Sequence, residues 1–148
     1  MKITTLTNEE TIKTGFTHKA VISYAQSDFS AATTTQTYTL APITAGMKIG
    51  NAGLRLVTVV AGGAIASAAV TVGKTGTTNA YVTSTDVFTG STVVFQAGNG
   101  ASFNQAGGDG FASSSSLVAV ITTTTGNVSA ATGGEFHIYW NQSDPTKL

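Results

Sequence analysis

The chain lacks cysteine altogether, holds two prolines and one tryptophan, and carries only 9% charged residues, against roughly 25% in ordinary soluble domains. Without cysteine there are no disulfides and no thiolate metal sites, which excludes a disulfide-stapled secreted scaffold. Seven basic and seven acidic residues cancel. No cluster of Lys and Arg is available to neutralise phosphates, so no nucleic acid is expected as a partner. The N-terminal Met1-Lys-Ile-Thr-Thr-Leu-Thr-Asn-Glu-Glu10 has no apolar run of the signal-peptide kind, and synthesis and use from the cytoplasm are expected.

Thr, Ser, Gly and Ala occupy the space that Lys and Glu normally take. Lys and Glu favour exposed helix, whereas Thr and Val favour a pleated surface, so the composition points to an all-β protein. A neutral, hydroxyl-coated surface also lacks the repulsion that keeps monomers apart, which suits a protein docked in an assembly. At 148 residues the chain fits one domain with a real core.

Residues 56–73 contain no charge and are long enough to span a bilayer on length alone. Gly62, Gly63, Ser67, Thr58 and Thr71 interrupt the run, and two Val-rich ends flank the Gly-Gly centre. Two strands joined by a loop account for it, and no membrane association is expected.

Residues 1–15 are polar and unpatterned, and we expect an N-terminal arm there. Thr7 with Glu10 could form a capping box and start a turn of helix over Asn8 to Lys13, but the arm is preferred because short isolated helices are marginal. From residue 16 to 148 the pattern is that of strands. Thr17 to Ala25 places Ala20, Ile22 and Tyr24 on one face and Lys19, Val21 and Ser23 on the other. Thr35 to Leu40 alternates Gln36, Tyr38 and Leu40 with threonines. A short strand over Met47 to Gly50 is expected to turn at Asn51-Ala-Gly53 into Gly53 to Val60. That last run is apolar on both faces apart from Arg55, so it should be central and covered on both sides.

Further strands are expected at Ala69 to Gly73, Asn79 to Thr83, Ser91 to Gln96, Leu117 to Thr124 and Gly134 to Asn141. In the last, Phe136, Ile138 and Trp140 point inward and Glu135, His137 and Tyr139 outward. Lys74 to Thr78 and Gly126-Asn127 read as turns, and Gly98 to Gly110 as a long Gly-rich exposed loop. About eight short strands with regular turns describe a single-domain jelly-roll β-sandwich.

No residue qualifies as catalytic, cofactor-binding or metal-ligating. Gly73-Lys74-Thr75 imitates the end of a phosphate-binding loop, but Ala68 stands where that motif needs Gly, and a turn rather than a helix follows. His18 and His137 lack a third ligand. Glu9 and Glu10 lie in the arm. Asp28, Asp86, Asp109 and Asp144 read as turn caps. Asp109 in Gly107-Gly-Asp-Gly110 lacks the alternating ligands of a calcium loop. Ser113 to Ser116 has no nucleophile elbow around it. The Asn-x-Ser triplets at Asn127 and Asn141 read as chance. We therefore expect no enzyme, no cofactor and no small-molecule substrate.

The run Leu40-Ala-Pro-Ile-Thr-Ala-Gly-Met-Lys-Ile-Gly-Asn-Ala-Gly-Leu-Arg-Leu56 resembles small jelly-roll proteins of tailed-phage virions. So does Ala69-Val-Thr-Val-Gly-Lys-Thr-Gly-Thr-Thr-Asn-Ala-Tyr-Val-Thr83. In those proteins a strand ends in Gly, turns through Gly, Asp or Asn, and reopens on an aromatic residue, as Gly73, Gly76, Asn79 and Tyr81 do here. The ending Gly134-Glu-Phe-His-Ile-Tyr-Trp140 is similar to their last strand. The resemblance spans residues 36–142 and implies a capsid decoration (cement) protein, a homotrimer on the outside of the virion capsid whose partner is the major capsid protein. It implies an arm that clasps the shell or a neighbouring subunit, and it brings no catalytic residues. This chain is more Thr-rich and less acidic than others of that pattern. A receptor- or glycan-binding head-fibre or tail module on the same scaffold is the alternative, for which Phe103 and Phe111 beside the Gly-rich loop are the available loop aromatics.

Overall fold

The computed structural model describes residues 1–90, 95–97 and 109–144. Among the described residues ten strands form two antiparallel sheets. β1 (Lys2–Thr5), β2 (His18–Ser23), β10 (Gly133–Ser143), β4 (Lys48–Ala61) and β7 (Phe95–Ala97) lie side by side in that order, and β8 (Asp109–Gly110) also pairs with β4. The second sheet runs β3 (Thr35–Ile43), β9 (Ser115–Thr124), β5 (Ser67–Lys74), β6 (Thr77–Asp86).

This order follows from one long hairpin rolled on itself. Its tip is the Thr75-Gly76 turn, where Lys74 pairs with Thr77 and Gly76 adopts φ +87°, a conformation open to Gly without a Cβ penalty. Working back from the tip, β5 pairs β6, β4 pairs β7, β3 pairs β9 and β2 pairs β10. Rolling that ribbon brings β10 beside β4 and β9 beside β5. The result is the strand order of a jelly roll, as the sequence predicts.

Period-two alternation builds the core. Trp140, Phe136 and Ile138 of β10 are fully buried together with Ile22, Leu54, Val70, Ile121 and Tyr81. Phe136 ties the sheets together, stacking on Phe29 at 6.1 Å and meeting the edge of Tyr38 of β3 at 6.5 Å. Both predicted halves of residues 56–73 are present, as the end of β4 and as β5 with a loop between them, and no helix among the described residues is long and apolar enough to cross a membrane.

The structure departs from expectation at several places. β4 is one strand of 14 residues, with no turn at Asn51 to Gly53. Its partner β10 continues alongside it, with Asn141 opposite Asn51 and Gln142 opposite Ile49, so Gly50 is the extra residue of a bulge. A bulge absorbs the local glycines by bending the strand instead of ending it. β4 is central, but only its inner face is covered: Arg55 is exposed and Val57 and Val59 are half-buried. Tyr24 does not extend the inward face of β2. It opens a 3-10 turn and is 47% exposed.

Residues 1–15, read as an arm, form β1 along the edge of β2 and helix α1 (Asn8–Thr14). The capping box is present: Thr7 Oγ1 accepts from Glu10 N–H at 3.3 Å, and Thr7 N–H donates to Glu10 Oε2 at 2.9 Å. Lys13 bonds Glu9 one turn back at 2.6 Å, and Gly15, at φ +76°, donates to Thr11 O as the C-cap. No residue of α1 is buried, so its ends and its ion pair carry it more than packing does. The expected strand over Ser91 to Gln96 lies within the described residues only at 95–96, and the expected loop only at Asp109 and Gly110, which pair with Ile49 and Lys48. Phe103 lies outside the described residues.

Candidate functional site on the outer face of the larger sheet

The residues that imitate chemistry in the sequence have structural employment. Gly73 is glycine because a Cβ there would meet Thr77 O at 2.2 Å, inside the hairpin. Lys74 places its ammonium over the Phe111 ring, 5.1 Å from the centroid, a cation–π arrangement rather than a phosphate grip. Phe111 itself is buried in the core cluster. Asp86 caps the turn after β6, accepting from Phe88 N–H at 2.7 Å and Thr89 N–H at 2.9 Å. The Thr89 hydroxyl and backbone donors hold its carboxyl below the usual range. Asp28 is buried and accepts from Ser23 N–H at 2.9 Å and from the Met1 ammonium. Tyr38 donates to Asp28 O at 3.0 Å, and burial, with the Asp28 charge behind it, raises its phenol far above normal.

The two histidines do not meet. His18 pairs with Trp140 and stacks on its indole at 5.4 Å, on the inner side of the sheet. His137 pairs with Val21, three positions along β10 and on the opposite face. Among the described residues there is no group of three or more His, Asp or Glu able to hold a metal. Thr17 Oγ1 lies 2.7 Å from His18 Nδ1, but that hydroxyl also donates to Trp140 O and accepts from Gln142 N–H, which makes it a joint between strands.

The richest side-chain chemistry gathers on the outer face of the six-stranded sheet. Register sets Lys2, Val21, His137 and Arg55 in one row across β1, β2, β10 and β4. Thr4, Lys19, Tyr139 and Gly53 form the next row. Lys19 Nζ stands over the Tyr139 ring at 5.6 Å, and His137 meets the ring edge-on at 6.3 Å. Glu135 Oε1 takes His137 Nε2 at 2.7 Å, which leaves Nδ1 buried without a partner. Burial lowers the His137 pKa despite the Glu135 hydrogen bond, which pulls it up; the Lys19 and Arg55 charges lower it further.

The chain leaving α1 folds back over this face. Phe16 is buried outside the core cluster, with its ring 5.7 Å from Tyr139. Asn141 Nδ2 donates to Gly15 O at 2.9 Å and pins the crossing. Between this strap and β4 opens a cavity of about 220 Å³ lined by Thr14, Phe16, Arg55 and Tyr139. A wider cavity of about 690 Å³ lies at the end of the sandwich against Lys74, Phe111 and the Ser113–Ser116 run. Among the described residues its lining has hydroxyls, one cation and no carboxylate.

Of this site the sequence placed Glu135, His137 and Tyr139 outward and Lys19 on the face opposite Ala20 and Ile22, and it marked Arg55 only as the charge interrupting an apolar strand. It gave no sign of Phe16 and Thr14, because folding the strap onto the sheet is a long-range event. The signal that was available is Arg55 itself, the only arginine in the chain. No protein-family model matches the chain, and no curated protein or solved structure does either.

Proposed function

We propose that the protein is a structural component of a tailed-phage particle, a decoration protein that binds the outer surface of the capsid and stabilises the shell, and is not an enzyme. Its partner in this reading is the major capsid protein, its working form a homotrimer, and its location the virion surface. The observation that carries the reading is the strand order, β2-β10-β4-β7 against β3-β9-β5-β6, which matches the scaffold that the resemblance over residues 36–142 implies. The neutral surface adds support. So does the N-terminal segment, where Ile12 is 84% exposed and Ile3 44%. Exposed aliphatics on a peripheral strand and helix are suited to a contact with another chain. Shallow contacts repeated over a lattice add by multivalency, and a ligand of the closed lattice stabilises it by mass action.

The test has two parts. Light scattering behind size exclusion should give three 15.0 kDa chains, about 45 kDa. Co-sedimentation with emptied capsids of the phage that encodes the chain should then saturate, and the bound shells should resist heat better than bare ones. A monomer would remove the trimer from the reading. Absence of binding to the shells would overturn it.

A further inference from the structure

Arg55 is exposed at the centre of a sheet face, and its guanidinium makes no ion pair or hydrogen bond with any described residue. The glutamates of α1 and β10 have other partners: Glu135 is held by His137 at 2.7 Å, Glu9 by Lys13 at 2.6 Å and Glu10 by the Thr7 backbone. A guanidinium is a planar fork of donors matched to a carboxylate, and here it borders a cavity walled by the rings of Phe16 and Tyr139. Lys19, over Tyr139, adds a second positive charge to the same face. Apolar walls with a cation at the rim fit a carboxylate carried on a short methylene stem. At about 220 Å³ the cavity falls below the roughly 300 Å³ at which small-molecule sites begin. It is better sized for one side chain of a partner than for a free sugar. Arg and Tyr are also among the residue types that dominate protein–protein binding energy when they line a pocket.

We propose that the Phe16–Tyr139–Arg55 cavity is a docking socket for an acidic side chain, Glu or Asp, on the surface of a partner protein. The inference deepens the proposed function, because it rests on the protein's docking onto another protein. Arg55 supplies the bidentate contact, the two rings enclose the stem, and Lys19 steers the approach of negative charge.

The first test is an NMR titration of the full chain with N-acetyl-glutamate N-methylamide and, as control, its glutamine counterpart. The Arg55 Nε–H and the Phe16 and Tyr139 ring signals should shift saturably with the glutamate probe only, and R55Q should abolish the effect. Equal shifts with both probes, or shifts that survive in R55Q, would overturn the socket. Saturation by N-acetylneuraminic acid at tenfold lower concentration than the glutamate probe would overturn the protein partner in favour of an acidic sugar. The second test is co-sedimentation of variants with the capsid shells, after thermal melts show R55Q and R55E as stable as the parent. Binding should weaken at least tenfold in R55Q, further in R55E, and less in R55K. If the parent binds shells and R55Q binds them equally well, the socket is wrong and the decoration reading stands. If the parent ignores the shells while the glutamate probe still shifts Arg55, the decoration reading is wrong and the socket stands.

Discussion

Across β3, β9 and β5 the outward side chains are Thr35, Thr37 and Thr39, then Val118, Val120, Thr122 and Thr124, then Ser67, Ala69 and Thr71. Across β2, β10 and β4 they include Lys19 and Val21, then Glu135, His137 and Tyr139, then Arg55 with Val57 and Val59. One face is small, uncharged and laid out in register, with a Ser67–Thr124 hydroxyl pair at 2.8 Å as its side-chain hydrogen bond. The other gathers aromatic rings, three cations when Lys2 is counted, an imidazole and a strap. A composition with few charges therefore does not mean a uniformly bland surface. Lys2, Lys19, Arg55 and Glu135 share the outer face of the larger sheet. The Thr-rich face sacrifices little side-chain entropy on contact, since its residues have short side chains.

The comparison can be tested from the interior outward. Phe136 serves both sheets, so F136A should cost about 3–5 kcal/mol in urea unfolding. A cost under about 1 kcal/mol would mean that the sheets are not clamped through this ring. F16A probes the strap packed on Tyr139 of β10 and should cost about 2 kcal/mol, the value of one buried large side chain. If it proves neutral, the strap does not pack on Tyr139. T7A removes the N-cap, for about 1 kcal/mol. Because α1 buries no residue, the loss should be read locally, as roughly fivefold faster amide exchange over residues 8–14 with the global transition unmoved.

Both histidines belong to the larger sheet, and burial lowers the pKa of each below 6.5. The unfolded chain thus binds protons that the folded one refuses, and stability should fall as pH drops below 6.5. The slope should shrink in H137N and in H18N. An unchanged slope in both would move the pH dependence to Asp86 and Glu10, whose lowered pKa values act only at lower pH. On the other face T37K should move stability by less than about 0.5 kcal/mol, and a larger loss would mean that this face is already covered by another copy.

Much of the fold was readable because alternation and turn chemistry are local. Phe136, Ile138 and Trp140 point inward as the period-two pattern requires, and Gly76 marks the hairpin tip. The misreadings share a cause. Asn51 to Gly53 looks like a turn until β10 runs past it and turns Gly50 into a bulge. Thr7 and Glu10 carry a capping box that competes with a general rule about short helices, and here the capping box decides. β4 looks covered on both faces because its sequence is apolar, yet the sandwich covers only one.

The all-β class, the alternation that separates core from surface, the hairpin tip and the scarcity of charge are legible in the amino-acid order, since each depends on composition or on neighbours within a few positions. The long-range fold settles that β10 lies between β2 and β4, that Phe16 folds over Tyr139, and that the single arginine borders a cavity with no acid paired to it among the described residues. Those depend on pairing residues tens of positions apart, where loop closure and register, which no local pattern encodes, select the partner.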